Sequence, residues 1–336
     1  MAIQPADSTL ETMSNDAAPK RLKLVSKPSR TADKVFFAVA KAAGYSSFVL
    51  VAAILFFLML RAWPAFESQG VVNFIFGAGW NSTSDPQIFH MGPMLYGSLL
   101  IAAIGVALAV PMAISISYFI AFMAPERVAK VATVIVDLLA AIPSVVIGLW
   151  GLGVFSPVAA EWGRMLSESL GFIPIFSNAV DIFLRSPFIA SLVIAVMIVP
   201  IISSITREIF SQMDQEIIKG AMALGGTRES IFRKVILPTA SGGIVGGVLL
   251  ALGRAMGETV AIFFVLNLTF DDFNWFKILE PSGGAVASLV LARFNEALDT
   301  ELSALLAAGV VLFVVTLIVN SIASYIVAKA QPWRKL

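Results

Sequence analysis

Six long apolar segments constrain this chain more than any other feature of its sequence. Each holds roughly the 20 largely apolar residues that a helix needs to cross the hydrocarbon core of a bilayer. Because lipid offers no hydrogen-bond partner to backbone N–H and C=O groups, each segment must satisfy those groups within itself. The sequence therefore predicts an all-α integral membrane protein with six transmembrane helices. The predicted spans are residues 35–61, 94–123, 129–155, 186–206, 240–267 and 303–328.

Composition excludes several classes of protein and of site. The chain is 58% hydrophobic and 13% charged, whereas soluble domains average about 45–50% apolar and about 25% charged residues. A net charge of +1 gives no general attraction to nucleic acid. The chain has no cysteine, which excludes disulfides, thiolate metal ligands and cysteine nucleophiles. Its one histidine, His90, lies in a predicted loop, so we expect no metal site, since such sites need several ligands.

The distribution of Lys and Arg predicts the orientation. With the N-terminus inside, sixteen of the 23 basic residues lie in predicted cytoplasmic segments and four lie in outer loops, as the positive-inside rule requires. An even number of spans then places both termini in the cytoplasm. We expect residues 1–34 to form a disordered basic tail next to the lipid, residues 35–330 to form the membrane domain, and residues 331–336 to form a short C-terminal tail.

The predicted cytoplasmic loop 207–239 has the pattern of two short helices. Gly225 can supply the positive φ that ends the first helix. Thr227 is a suitable N-cap for a second helix over residues 228–235, which Pro238 is expected to stop before the next span. The loop should therefore project as a small two-helix knob with mixed apolar and charged side chains, a natural docking surface for a soluble partner.

The same loop resembles the coupling loop of ABC-importer permeases, whose pattern is E-A-A-x3-G-x9-I-x-L-P. The matching positions are Lys219, Gly220, Ala221, Gly225, Leu237 and Pro238. Because Lys219 replaces the Glu of the pattern and Gly220 replaces its first Ala, a role tied to that carboxylate does not carry over. The resemblance implies a coupling helix that sits in a groove of an ATP-hydrolysing subunit. The alternative is an ordinary basic cytoplasmic loop.

The chain has no G-x-x-x-x-G-K-[ST] segment to hold nucleotide phosphates. ATP and Mg²⁺ are therefore expected in a separate ATPase subunit, with no cofactor and no catalytic residue in this chain.

The charged residues Asp137, Arg254 and Glu258 lie deep in the apolar spans, away from the span ends. A charge at the bilayer centre costs about 2.5–3.5 kcal/mol on insertion scales, so such residues are functional candidates. Arg254 and Glu258 stand four apart on one predicted helix, where their side chains should meet. They are either a structural ion pair or pathway residues, with the Arg254 guanidinium contacting an anion. Asp137 is either a third member of this group or a separate packing contact.

Two segments resemble the hallmark segments of phosphate-importer permeases of the ABC class. The first reads LGRAMGETVA over residues 252–261, and the second reads AAIPSVVIGLWGLG over residues 140–153. The GLWG run and the polar N-terminal extension resemble the PstC-type subunit more than its PstA-type partner. The resemblance implies the type I importer permease fold, and it assigns the Arg and Glu implicated in transport to Arg254 and Glu258.

The resemblance also implies a complex in a bacterial plasma membrane. This chain would be the permease subunit of an ATP-driven phosphate importer, forming half of the pathway beside a PstA-type permease. Two PstB-type ATPase subunits and a PstS-type binding protein would complete the system. Other oxyanions, namely sulfate, molybdate or phosphonate, are alternative substrates. An ion-coupled secondary transporter leaves the coupling motif unexplained, and a membrane enzyme using Asp137 and Glu258 as acid and base lacks a nucleophile and a cofactor loop.

Overall fold

The computed structural model describes residues 30–273 and 275–330. Most of the tail predicted over residues 1–34, and all of the tail predicted over 331–336, lie outside the described residues. The chain divides into two compact units, one reaching to Ile54 and the other starting at Leu55. The first helix, which begins at Arg30, contributes residues to both units.

The described backbone is predominantly helical. Its α-helices are α1 (Arg30–Gln69), α2 (Val71–Phe76), α3 (Gly92–Tyr118), α4 (Glu126–Ala141), α5 (Ser144–Trp150), α6 (Ser156–Leu170), α7 (Pro187–Ser211), α8 (Gln215–Ala223), α9 (Arg228–Ile231), α10 (Leu237–Gly257), α11 (Val260–Val265), α12 (Val286–Arg293) and α13 (Asp299–Ala330). Its shorter elements are the π-helical turns Phe119–Met123, Gly151–Phe155 and Phe232–Ile236, the 3₁₀ turn Pro174–Phe176, and the antiparallel strands β1 (Trp80–Asn81) and β2 (Ile88–Phe89), with Trp80 opposite Phe89.

Six helical stretches in the described residues are long and apolar enough to cross a membrane. They are Asp33–Gln69, Gly92–Met123, Ser144–Leu170, Pro187–Ser211, Arg228–Gly257 and Asp299–Ile326. The prediction of an all-α chain with six candidate spans is therefore confirmed.

The third stretch differs from the single span predicted over residues 129–155. The helix breaks at Ile142 and Pro143, which both have extended backbones, because a proline ring disfavours the α conformation of the residue before it. The half before the break is α4, and the half after it continues through α5 and α6 as Ser144–Leu170. The proline within the apolar run thus divides one predicted helix into two.

The fifth stretch begins earlier and ends earlier than the span predicted over residues 240–267. The prediction that Pro238 stops the second helix of the loop is wrong, because helix continues from Arg228 to Gly257. The π-helical turn Phe232–Ile236 lies directly before this proline. Pro238 sits in the first turn of α10, and a wider turn there lets the chain continue without the N–H that proline lacks.

Helix α7 is the centre of the bundle. Its most extensive interface is with α3, and it also packs on α10. Ser117 on α3 donates a hydrogen bond to the carbonyl of Ser203 on α7 at 2.9 Å, and the Ser203 hydroxyl donates to the carbonyl of Ala113 at 3.1 Å. On the α10 side, Gly247 lies so close to Ile205 that an added Cβ would be 3.0 Å from its Cγ2. Small residues and buried hydroxyls thus let these helices approach closely.

Candidate functional site

Two helix breaks lie in the segments singled out from the sequence. The first is Ile142–Pro143, between α4 and α5, and the second is Glu258–Thr259, between α10 and α11. The helices that follow the breaks pack together. An added Cβ on Gly148 of α5 would lie 2.8 Å from the Cα of Ala261 on α11, so only glycine permits this contact. The structure therefore joins the two segments at one helix crossing.

Arg254 and Glu258 form no ion pair in the described residues. Helix α10 ends at Gly257, and Glu258 is its C-cap residue. The expectation that the two side chains meet is wrong, because the Glu258 carboxylate turns towards the start of α11. Glu258 is only 8% exposed, and its carboxylate accepts a hydrogen bond from the N–H of Ala261 at 3.4 Å. Arg254 is exposed, and within the described residues it forms no ion pair. In this chain the two charges do not neutralise each other by direct contact.

Hydroxyl groups complete the hydrogen bonding at this break. Thr259 Oγ1 donates to the carbonyl of Gly257 at 3.1 Å, and Ser288 on α12 donates to the carbonyl of Thr259 at 3.2 Å. The Gly257 carbonyl at the end of α10 thus finds a side-chain partner, and the Thr259 carbonyl, which also accepts from the N–H of Phe263 in α11, gains a second one.

Asp137 lies on α4 and contacts α7. Its carboxylate accepts from Arg207 Nη2, with 3.0 Å to Oδ1 and 3.3 Å to Oδ2. The hydroxyl of Ser204, one turn earlier on α7, donates to the same Oδ1 at 3.0 Å. The structure therefore gives Asp137 partners other than Arg254 and Glu258. Sequence reasoning missed both partners, although the spacing of Ser204 and Arg207 places them on one helix face.

The knob, defined here as residues 215–231, is built from local backbone signals. Asp214 accepts from the N–H of Glu216 at 2.9 Å, and Thr227 accepts from that of Ser230 at 3.2 Å, so each helix has a side-chain N-cap. Gly225 has a φ of +80°, as predicted. Its N–H bonds to the carbonyl of Met222.

The N–H of Gly226 bonds to the carbonyl of Ala221. Together with the bond from Gly225 this is a Schellman end to α8.

The knob has a buried side and an exposed side. Ile218 and Ile231 pack in a cluster with Phe210 of α7, and half-buried Ala221 lies against it. On the other side Leu224 is 91% exposed. Residues Lys219 and Gly220 are also exposed, and Leu237 and Pro238 are half-buried at the start of α10.

Lys219 pairs with a neighbour on its own helix. Its Nζ lies 3.0 Å from Glu216 Oε1, and both side chains are exposed. An apolar surface carrying Ile217, Met222 and Leu224 therefore stands beside a locally neutralised charge, which is suited to contact with another protein.

Comparison with known sequences identifies relatives over most of the chain. Residues 113–331 match the family described as binding-protein-dependent transport system inner membrane component. The phosphate transport system permease protein PstC 2 of Mycobacterium tuberculosis is 34% identical over 304 residues, which are 88% of this chain and 92% of that protein. PstC of Haemophilus influenzae is 36% identical, covering 84% and 89%. PstC of Mesorhizobium japonicum is 31% identical, covering 98% and 97%.

Among solved structures, a chain of a bacterial alginate ABC transporter, in complex with an alginate pentasaccharide-bound periplasmic protein, has the same fold. Its TM-score is 0.58 at 15% identity, covering 90% of this chain and 98% of that chain. At this identity the likeness concerns the fold alone, and it agrees with the importer permease architecture expected from the sequence.

Proposed function

Since the chain belongs to the family of binding-protein-dependent transport system inner membrane components, among the PstC permeases, we propose that it is a permease subunit of an ATP-driven importer of inorganic phosphate. It forms half of the translocation pathway and transmits the work of a separate ATPase. It catalyses no bond chemistry itself.

One observation carries the choice of phosphate. Relatives named as PstC phosphate permeases match this chain along 92% of their own length at 34% identity. The charges inside the bundle are compatible with other oxyanions as well, since a guanidinium binds phosphate and sulfate through the same fork of donors.

The chain is a multi-pass inner-membrane protein, as its family and its six candidate spans indicate. We assign both termini and the knob to the cytoplasm from the excess of Lys and Arg on that side.

As an ABC-importer permease the chain works with ATPase and binding-protein partners. We infer that these are two PstB-type ATPases, an extracytoplasmic PstS-type phosphate-binding protein and a second, PstA-type permease. The exposed apolar side of the knob, with Leu224 at its tip, is the surface that an ATPase groove would cover.

Arg254 is the residue that we assign to the phosphate. Its guanidinium is exposed on this chain and has no partner in the described residues, so its donors stay free for a ligand. Glu258, buried four residues later, supplies a nearby negative charge that limits how tightly an anion is retained. For Asp137 the sequence leaves two roles open, a third member of this group or a separate packing contact, and its contact with Arg207 supports the role argued below.

Phosphate uptake tests the proposal. The chain and its partners are expressed in cells lacking a high-affinity phosphate system, and initial uptake of labelled phosphate is compared for wild type and Arg254→Gln. Wild type should restore uptake and the variant should lower it at least about a hundredfold, a loss of about 2.7 kcal/mol, with equal amounts of both in the membrane.

Arg293→Gln is the matched control, since Arg293 lies at the end of α12 over the ring of Phe270 and should transport normally. Equal uptake by wild type and Arg254→Gln would remove Arg254 from the pathway while leaving the importer assignment intact. If wild type with all partners moves no phosphate, uptake of sulfate, molybdate and phosphonate is measured next.

A further inference from the structure

The contact between Asp137 and Arg207 joins α4 and α7, which lead to different parts of the molecule. Helix α7 leads into the knob, and Arg207 lies four residues before its last residue, Ser211. Helix α4 leads to the first helix break, and Asp137 lies six residues before Pro143. The ion pair therefore links the end of α7 that leads into the knob to the part of α4 that leads into the first helix break.

The ion pair is more than a solvated surface contact. The Arg207 side chain is 22% exposed and that of Asp137 is 50% exposed, and Arg207 Nη1 is buried without a hydrogen-bond partner. Within the described residues, Asp137 is the only carboxylate that compensates this guanidinium. Loss of one partner of such a pair leaves a partly buried charge uncompensated, which costs far more than breaking an exposed pair.

Helix α4 is held mainly by this neighbour. It packs on α7 and on the π-helical turn Phe119–Met123, and Val136 is its one buried side chain. Val134 and Leu138, on either side of Asp137, are more than half exposed on this chain. A helix with so little apolar burial depends on its polar contact to follow the motion of α7.

From the first break a packed route leads to the second. Helix α5 starts at Ser144 and packs on α11 through Gly148 and Ala261. The N–H of Ala261 binds the carboxylate of Glu258. The knob reaches Glu258 through the continuous helix Arg228–Gly257, and α7 also packs directly on α5 and on α11. A second route passes through α7, α4, α5 and α11.

We propose that the Asp137–Arg207 ion pair is the positioning contact of this second route, and that it couples movement of the knob to the two helix breaks. The inference rests on the proposed function. Its physical content is that α4 moves with α7 only while the two charges attract each other, so that ATP hydrolysis continues without productive transport once the pair is removed.

The test measures two rates on one preparation. The complete complex is reconstituted in liposomes with its ATPase, second permease and binding protein, and phosphate uptake and ATP hydrolysis are recorded together. Asp137→Asn should lower the phosphate moved per ATP at least about fivefold, the lower end of ordinary coupling energies. Asp137→Glu keeps the charge and should stay within about twofold of wild type.

Exchanging the two charges distinguishes a loss of coupling from a loss of stability. Asp137→Arg with Arg207→Asp restores attraction and should recover most of the ratio, as a double-mutant cycle requires for a direct interaction. The neutral double variant, Asp137→Asn with Arg207→Gln, buries no lone charge and should assemble with the same low ratio. Glu126→Gln is the matched control, because Glu126 pairs only along α4, with Lys130 at 2.8 Å, and should leave the ratio unchanged.

The outcomes are distinct. A low ratio in both neutral variants with recovery on charge exchange supports the inference. If the neutral double variant assembles and moves as much phosphate per ATP as wild type, the inference is overturned, because an ion pair with a purely structural role would give that result. Parallel loss of hydrolysis and transport in all assembled variants also overturns it. A wild-type complex that moves no phosphate overturns the proposed function and this inference together, whereas normal wild-type transport isolates the inference.

Discussion

Lys219 on the knob and Arg254 at the second helix break are held in opposite ways. On the knob, Lys219 and Glu216 pair one turn apart and both stay exposed. At the break, Glu258 is buried against the start of α11, and Arg254 is exposed with no ion pair in the described part of the chain. The charge of Lys219 is therefore neutralised locally, whereas at the break Arg254 and Glu258 stay apart.

After the loss expected from Arg254→Gln, the next largest effect that sharpens this comparison is expected from Glu258→Gln. The amide oxygen can still accept from Ala261, so the start of α11 keeps its hydrogen bond and only the charge is lost. We expect initial phosphate uptake to fall about tenfold, a loss of about 1.4 kcal/mol, with the amount of assembled complex unchanged.

Glu301→Gln is the matched control for that loss. Glu301 is also buried, at 5% exposure, and accepts from Trp80 Nε1 at 2.8 Å. Uptake by this variant should equal that of wild type. If the two substitutions lower uptake equally, the effect at Glu258 reflects burial and not its position at the break.

A smaller effect is expected from the backbone of the knob. Gly225 and Gly220 both have open space where a Cβ would stand, and of the two only Gly225 has a positive φ. Gly225→Ala should destabilise the end of α8 by about 1 kcal/mol and weaken binding of the ATPase subunit about fivefold.

Gly220→Ala places the same methyl group in ordinary helix. It should bind the ATPase as wild type does, or slightly better, since alanine favours helix. Equilibrium binding of ATPase to permease complexes in nanodiscs measures both variants. Equal binding by the two would mean that the Schellman end of α8 does not position the docking surface.

The smallest effect is expected at Lys219. Exposed ion pairs contribute about 0–1 kcal/mol, so Lys219→Gln should change uptake and ATP hydrolysis by less than about twofold. A loss beyond fivefold in either rate would show that Lys219 contacts a partner directly. Lys219 would then resemble Arg254, whose charge has no ion-pair partner in the described residues.

The knob could be predicted from sequence because its signals are local. Gly225 and Thr227 act on the residues beside them, through a positive φ and a side-chain cap, and both appear as expected. The six apolar stretches could also be predicted, because the length and composition of a segment are enough to identify it as a candidate span.

The two helix breaks were harder to predict from the sequence, for two different reasons. Pro143 is visible in the sequence, but a proline within a span can either kink a helix or end it, and neighbouring helices decide which. At Glu258 no proline is present, and the hydroxyls that bond to carbonyls at the break come from Thr259 and from distant Ser288. The partnership of Asp137 with Arg207 likewise joins residues 70 positions apart, which local patterns do not record.

The π-helical turn Phe232–Ile236 has a consequence for how this protein family can vary. Such a turn holds one residue more than an α-helical turn and closes with a wider i→i+5 ring, so it takes up the extra residue locally. The face of α10 that carries Arg254 therefore keeps nearly the direction, relative to the knob, that a plain α-helix one residue shorter would give it. Loss of one residue from this turn would leave Arg254 facing the same way, whereas loss of one residue from the α-helical part of α10 before Arg254 would rotate it by about 100° around the axis.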